Sequence, residues 1–76
     1  MNLKLPVVTS KQLLRALQRG GFIIHRQKGS YIVLKNIAPP IRVVLIPYHN
    51  MDIKKGTLKA ILRQARIDVE EFLKLL

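Results

Sequence analysis

A chain of 76 residues holds one domain and no more, and its core is marginal because short chains bury a smaller share of their surface. Hydrophobic residues make up 49% of it, which excludes disorder, and the lack of cysteine excludes disulfide staples and cysteine-ligated metal. Fourteen Lys and Arg against four Asp and Glu give a formal charge of +10, so the expected partner is a polyanion, nucleic acid first, with an acidic protein or an anionic membrane surface as the alternative.

At the start, Met1-Asn2-Leu3-Lys4-Leu5-Pro6 has no long apolar run behind it, so no signal peptide is expected. The longest apolar stretch, Val43 to Pro47, is far short of a membrane span. The basic residues are not gathered in a tail and form no amphipathic membrane helix, so membrane binding ranks behind RNA or DNA. The absence of cysteine agrees with a cytoplasmic protein.

A first helix is expected from Thr9 or Ser10, where Thr9 and Gln12 make a capping-box pattern. Leu13, Leu14 and Leu17 form its apolar stripe, and Lys11, Arg15 and Arg19 share an outer face that reads as solvated. Gly20 and Gly21 end it by permitting a left-handed backbone. Phe22 to Gln27 is a β-rich strand, Lys28-Gly29-Ser30 a glycine turn, and Tyr31 to Lys35 the second strand of a hairpin. Pro39 and Pro40 make Asn36 to Pro40 a loop, Ile41 to Ile46 is a third strand, and Pro47 stops it. After a loop over Tyr48 to Lys55, a helix opens near Thr57. Its Leu58, Ile61, Leu62 and Ala65 match the helical template, with Lys59, Arg63 and Arg66 on other faces. A short last helix starts at Asp68, with Glu71 completing a capping box and Val69, Phe72, Leu73 and Leu76 as its stripe. The expected fold is a single α+β domain over residues 1–76: a three-stranded antiparallel sheet with helices on one face, in the order α-β-β-β-α plus a short C-terminal helix. This is the layout of double-stranded RNA-binding domains.

Three segments together resemble the HicA family of mRNA-cleaving toxins. They are Gly21-Phe22 with Arg26-Gln27-Lys28-Gly29-Ser30; Ile46-Pro47-Tyr48-His49; and Lys55 to Ala65 followed by Glu70-Glu71-Phe72. The resemblance implies an endoribonuclease that cuts mRNA without a metal or other cofactor, and a HicB-type antitoxin that neutralises it. It also implies a catalytic histidine directly after Gly29-Ser30, where this chain has Tyr31. A second departure is Arg66, where the family usually has glycine.

Metal-free RNA cleavage needs a base for the 2′-hydroxyl proton, an acid for the leaving oxygen and cations on the phosphate. Histidine, titrating at about 6.5, suits the first two tasks; tyrosine, at about 10, donates a proton but is a poor base. Tyr31 is expected across the hairpin from Arg26 or from His25, according to the turn length. It reads either as a weakened catalytic or base-stacking residue or as an ordinary strand tyrosine. His25 reads as structural. His49 reads either as a phosphate contact and replacement acid or as a loop-shaping residue. The histidines have no acidic partner at ligand spacing, so no metal site is expected.

Lys54-Lys55-Gly56-Thr57 is the first phosphate candidate. Lysines at a helix start oppose the macrodipole, while its free amides attract an anion. Two solvated lysines are the plain alternative. The second candidate is Arg26, Lys28, Gly29 and Ser30, where a glycine turn admits RNA backbone closely; a charged hairpin tip is its plain alternative. Two function classes remain open: an mRNA interferase, and an RNA- or antitoxin-binding module that no longer cuts. A DNA-binding domain is a third, although no helix-turn-helix pairing is visible.

Overall fold

Thr9 caps the first helix, α1 (Ser10–Arg19), through the expected box. Its Oγ1 accepts from the Gln12 amide at 3.2 Å, and Gln12 Oε1 accepts from the Thr9 amide at 2.9 Å. The computed structural model describes residues 4–49 and 51–76, so the reading of Met1-Asn2-Leu3 lies outside the described residues. The buried line of α1 is Ser10, Leu13, Ala16 and Leu17, with Leu14 only half-buried. At its end Gly20 stays at φ −81° and Gly21 alone turns left-handed, at φ +96°.

The sheet has the order β1-β2-β3, all antiparallel, from β1 (Phe22–Lys28), β2 (Tyr31–Asn36) and β3 (Val43–Pro47). The hairpin turn has two residues, placed one position later than Lys28-Gly29. Lys28 pairs with Tyr31, so only Gly29 and Ser30 lie between the strands, and Tyr31 faces neither Arg26 nor His25. Gly29 at φ +58° makes this possible. A two-residue loop with a positive φ at its first central residue matches strand twist, and glycine enters that region without penalty. A bulge between Ile24 and Arg26 leaves His25 as the extra residue, exposed.

β3 begins at Val43 rather than Ile41 because Asn36 holds the preceding loop. Its Nδ2 donates to the carbonyls of Ala38 at 2.7 Å and Pro40 at 2.8 Å, and its Oδ1 takes the Arg42 amide out of the ladder. Pro47 is the last residue of β3 rather than the one after it. The second helix, α2 (Lys55–Ala65), starts two residues ahead of Thr57. Ile53 is buried and its amide donates to the Val8 carbonyl at 2.8 Å, so tertiary contact sets the entry point and overrides the capping preference of threonine. Leu58, Ile61, Leu62 and Ala65 are buried as expected. In the last helix, α3 (Val69–Leu75), Asp68 accepts from the Glu71 amide at 2.8 Å, one half of the expected box. Phe72 is buried there with Leu75 beside it, whereas Leu73 and Leu76 are exposed, because this two-turn helix leans on α1 along one line only.

The main contacts of the sheet with helices, among the described residues, come from α1 and α2 on one face, onto which Ile32, Leu34, Val44 and Ile46 are buried. Tyr31, Val33, Val43 and Leu45 alternate with them and lie on the opposite, uncovered face. No helix among the described residues is long and apolar enough to cross a membrane.

Arg66 is not on a helix face; it is the C-cap of α2, with φ +56° and ψ +43°. An L-residue there costs about 1–2 kcal/mol, which glycine avoids. Nothing in the structure explains why arginine holds the position. Arg66→Gly is expected to raise stability by about 0.5–1 kcal/mol after the added freedom of the unfolded chain is counted. A urea titration measures this as a higher midpoint at unchanged slope, and a lower midpoint would refute it.

Candidate nucleic-acid interface

The segment after β3 is strapped between the start of α1 and the hairpin tip. Tyr31 pairs with Pro47 in the β2–β3 ladder, and one step on the Tyr48 amide donates to the Ser30 carbonyl at 2.6 Å. On the other side, the Ser10 hydroxyl donates to the Pro47 carbonyl at 2.7 Å and accepts a longer, weaker bond from the His49 amide at 3.4 Å. Thr9 and Asp52 form an isolated bridge that ties the far end of the segment to the same region.

The His49 side chain is exposed and turned onto its own loop: Nδ1 accepts from the Met51 amide at 3.2 Å. An accepting Nδ1 assigns the proton of the neutral ring to Nε2. Nε2 has no protein partner among the described residues. The two roles weighed for His49 are therefore compatible, since one nitrogen shapes the loop and the other is left as a donor.

His49 shares a depression with Pro47, Met51, Asp52, Ile53, Lys54 and Thr57. The start of α2 forms part of its wall and is uncapped. Lys54 occupies the N-cap position with an extended backbone and no side-chain bond, and no acid lies in the first turn. The first helical bond runs from the Leu58 amide to the Lys54 carbonyl at 2.9 Å, and the amides of Lys55, Gly56 and Thr57 have no protein acceptor among the described residues. Amide dipoles and lysine charge therefore converge where the helix is positive already, a place suited to an anion. Asp52 is the one carboxylate in this wall. Lys55 is exposed but does not line the depression.

Arg26, Lys28, Gly29, Ser30 and Tyr31 line a second, open depression of about 400 Å³ on the uncovered face of the sheet, floored by Val33 and Leu45. Tyr31 is 50% exposed, with Lys28 directly across from it. The residues singled out in the sequence thus divide in two. Tyr31 joins the hairpin-tip cations, His49 joins Lys54 and Thr57, and the Pro47–His49 strap links the groups. His25 lies outside both depressions. Among the described residues no three His, Asp or Glu stand close enough to hold a metal ion.

Sequence reasoning missed Ser10, Val33 and Leu45. Ser10 had a readable signal: it falls in helical phase with Leu13 and Leu17, so a polar side chain stands on a core-facing line and needs a partner. Val33 and Leu45 had none, because alternation along a strand does not say which depression a residue floors.

Residues 10–67, most of the chain, match the family model described as HicA toxin of bacterial toxin-antitoxin. No curated protein matches the chain significantly.

The open helix start carries its own prediction. Lys54→Asp supplies both a side-chain acceptor and a negative charge, and is expected to stabilise the protein by about 1 kcal/mol. Lys54→Asn separates the cap from the charge. A urea midpoint that neither variant raises would show that this helix start lacks no cap in solution.

Proposed function

This chain belongs to the HicA toxin family of bacterial toxin–antitoxin systems, and we propose that it grips mRNA on a metal-independent endoribonuclease scaffold weakened by Tyr31. The observation that carries this reading is the uncapped, lysine-bearing start of α2 in one depression with the outward nitrogen of His49. Under this reading the amides of α2, Lys54 and the Thr57 hydroxyl hold a phosphate. Nε2–H of His49 donates to a phosphate oxygen or to the leaving 5′-oxygen. Lys55 adds charge beside the site, and Arg26 and Lys28 hold the strand where Gly29 and Ser30 let its backbone approach.

The cleavage step requires a base near position 31. It takes the 2′-hydroxyl proton, the 2′-oxygen attacks phosphorus, and the 5′-oxygen leaves with a proton, so that a 2′,3′-cyclic phosphate remains. Histidine does this near neutral pH, whereas a phenol, titrating at about 10, holds its proton there. Tyrosine retains another use, since its ring stacks on an unpaired base. Its half-exposed position beside Lys28 favours the second reading, a non-catalytic RNA-binding module of the same fold. In both readings the protein partner is an antitoxin, of the HicB type, and the acidic character that +10 invites is expected of its docking face.

The test is RNA cleavage in EDTA by this chain and by Tyr31→His, with product ends identified. Cutting by the histidine variant alone, leaving 2′,3′-cyclic phosphate, supports the weakened-scaffold reading. If neither cuts while both fold and bind RNA, the module reading replaces it. Separately, Lys54→Ala with Lys55→Ala is expected to weaken RNA affinity and to lower the slope of log affinity against log salt by roughly 0.7 for each phosphate no longer neutralised. An unchanged slope removes the start of α2 from the site.

A further inference from the structure

We propose that Ser10 is a positioning residue that sets the Pro47–His49 strap and, through it, the grip on RNA. The inference rests on the RNA reading above and extends it to a residue outside both depressions.

Ser10 is the only polar residue in the buried set of the described residues, at 0% exposure. A hydroxyl in such a place is costly unless bonded. Capping does not explain it, because Thr9 and Gln12 already cap α1. Its two bonds both go to the strap, 37 and 39 positions away: the Pro47 carbonyl as acceptor and the His49 amide as donor. One hydroxyl thus brackets Tyr48, whose own amide is bonded to Ser30 on the hairpin tip. A shift of the strap at Ser10 therefore moves His49 relative to α2 and moves the Ser30–Tyr31 end relative to both. An alanine would suit the apolar line of α1 at this position, but only a hydroxyl both donates and accepts here.

Ser10→Cys replaces the hydroxyl with a somewhat larger thiol that donates only weakly, while Ser10→Ala removes the hydroxyl altogether. RNA affinity is read by anisotropy of a fluorescein-labelled single-stranded oligoribonucleotide of mixed sequence at fixed salt. Amide hydrogen exchange is read at Tyr48 and His49, with Leu34 and Val44 as core references. In Ser10→Cys, affinity is expected to fall about fivefold, the size of one lost hydrogen bond. In a His49→Ala background the same change is expected to alter affinity less than about twofold, because coupled residues are non-additive. Exchange at Tyr48 and His49 should rise while the core references hold. Equal losses in both backgrounds, or unchanged exchange at the strap, overturn the proposal, and Ser10→Ala repeats the test should the cysteine variant not fold. If His49→Ala binds RNA as the parent does, the reading of His49 fails and takes the RNA half of the proposal with it. Unchanged strap exchange with a normal His49→Ala loss sinks the role of Ser10 alone.

Discussion

With helices on one face of the sheet only, every second residue of β2 and β3 must be buried against them, and the others are left to water. Ile32, Leu34, Val44 and Ile46 take the buried phase. That choice sends Tyr31 to the uncovered face, because a strand offers no third direction. A slip of one residue would place the phenol in the core and Ile32 in water, so core burial itself holds the register that positions the site. The two-residue turn at Gly29-Ser30 then fixes which cation stands across from Tyr31, and the ladder partner Pro47 fixes where the strap begins on the other side.

The stability of this molecule therefore rests on apolar packing, and its charges contribute little. The one ion pair among the described residues, Lys74 with Glu70, is exposed, and such pairs are worth ~0–1 kcal/mol. A chain of this size has roughly 4–11 kcal/mol in total. Against that total, an uncapped lysine at the start of α2 and an arginine in a left-handed C-cap are each appreciable losses. The two differ in kind. At Lys54 the local rule is broken where charge and free amides converge on one depression, as expected where a ligand supplies the missing partner. Arg66 has no such compensation in view.

Much of the fold was legible in the residues because it depends on local pattern. The capping box of Thr9 and Gln12, and the stripe Leu58, Ile61, Leu62 and Ala65, need no knowledge of the rest of the chain. The resemblance to HicA toxins was legible as well, in three segments that keep their order, and the family match over residues 10–67 covers all of them except the closing Glu70-Glu71-Phe72. What was not legible depends on contacts between distant residues. The start of α2 is set by Ile53 docking near Val8, the start of β3 by the Asn36 side chain, and the strap by Ser10. The position of the turn was not legible because Lys28 suits a turn as well as a strand end, and the pairing of the whole hairpin decides it.

The place of Tyr31 bears on how binding and cutting separate under the proposed function. Its ring is half-exposed at the first residue of β2, where exchange of one side chain for another disturbs no core contact, and such surface changes alter stability by about 0.5 kcal/mol or less. Fold and charge are thus indifferent to whether a base stands there. The elements proposed to hold phosphate, the start of α2 and the hairpin tip, lie on other residues and keep their arrangement through the strap. In the proposed reaction, cutting requires a base at this one position, while the proposed grip on RNA is spread over several cations and amides. A chain built this way can lose the first and retain the second. An antitoxin that recognises the basic surface and the exposed sheet face would then recognise both forms alike.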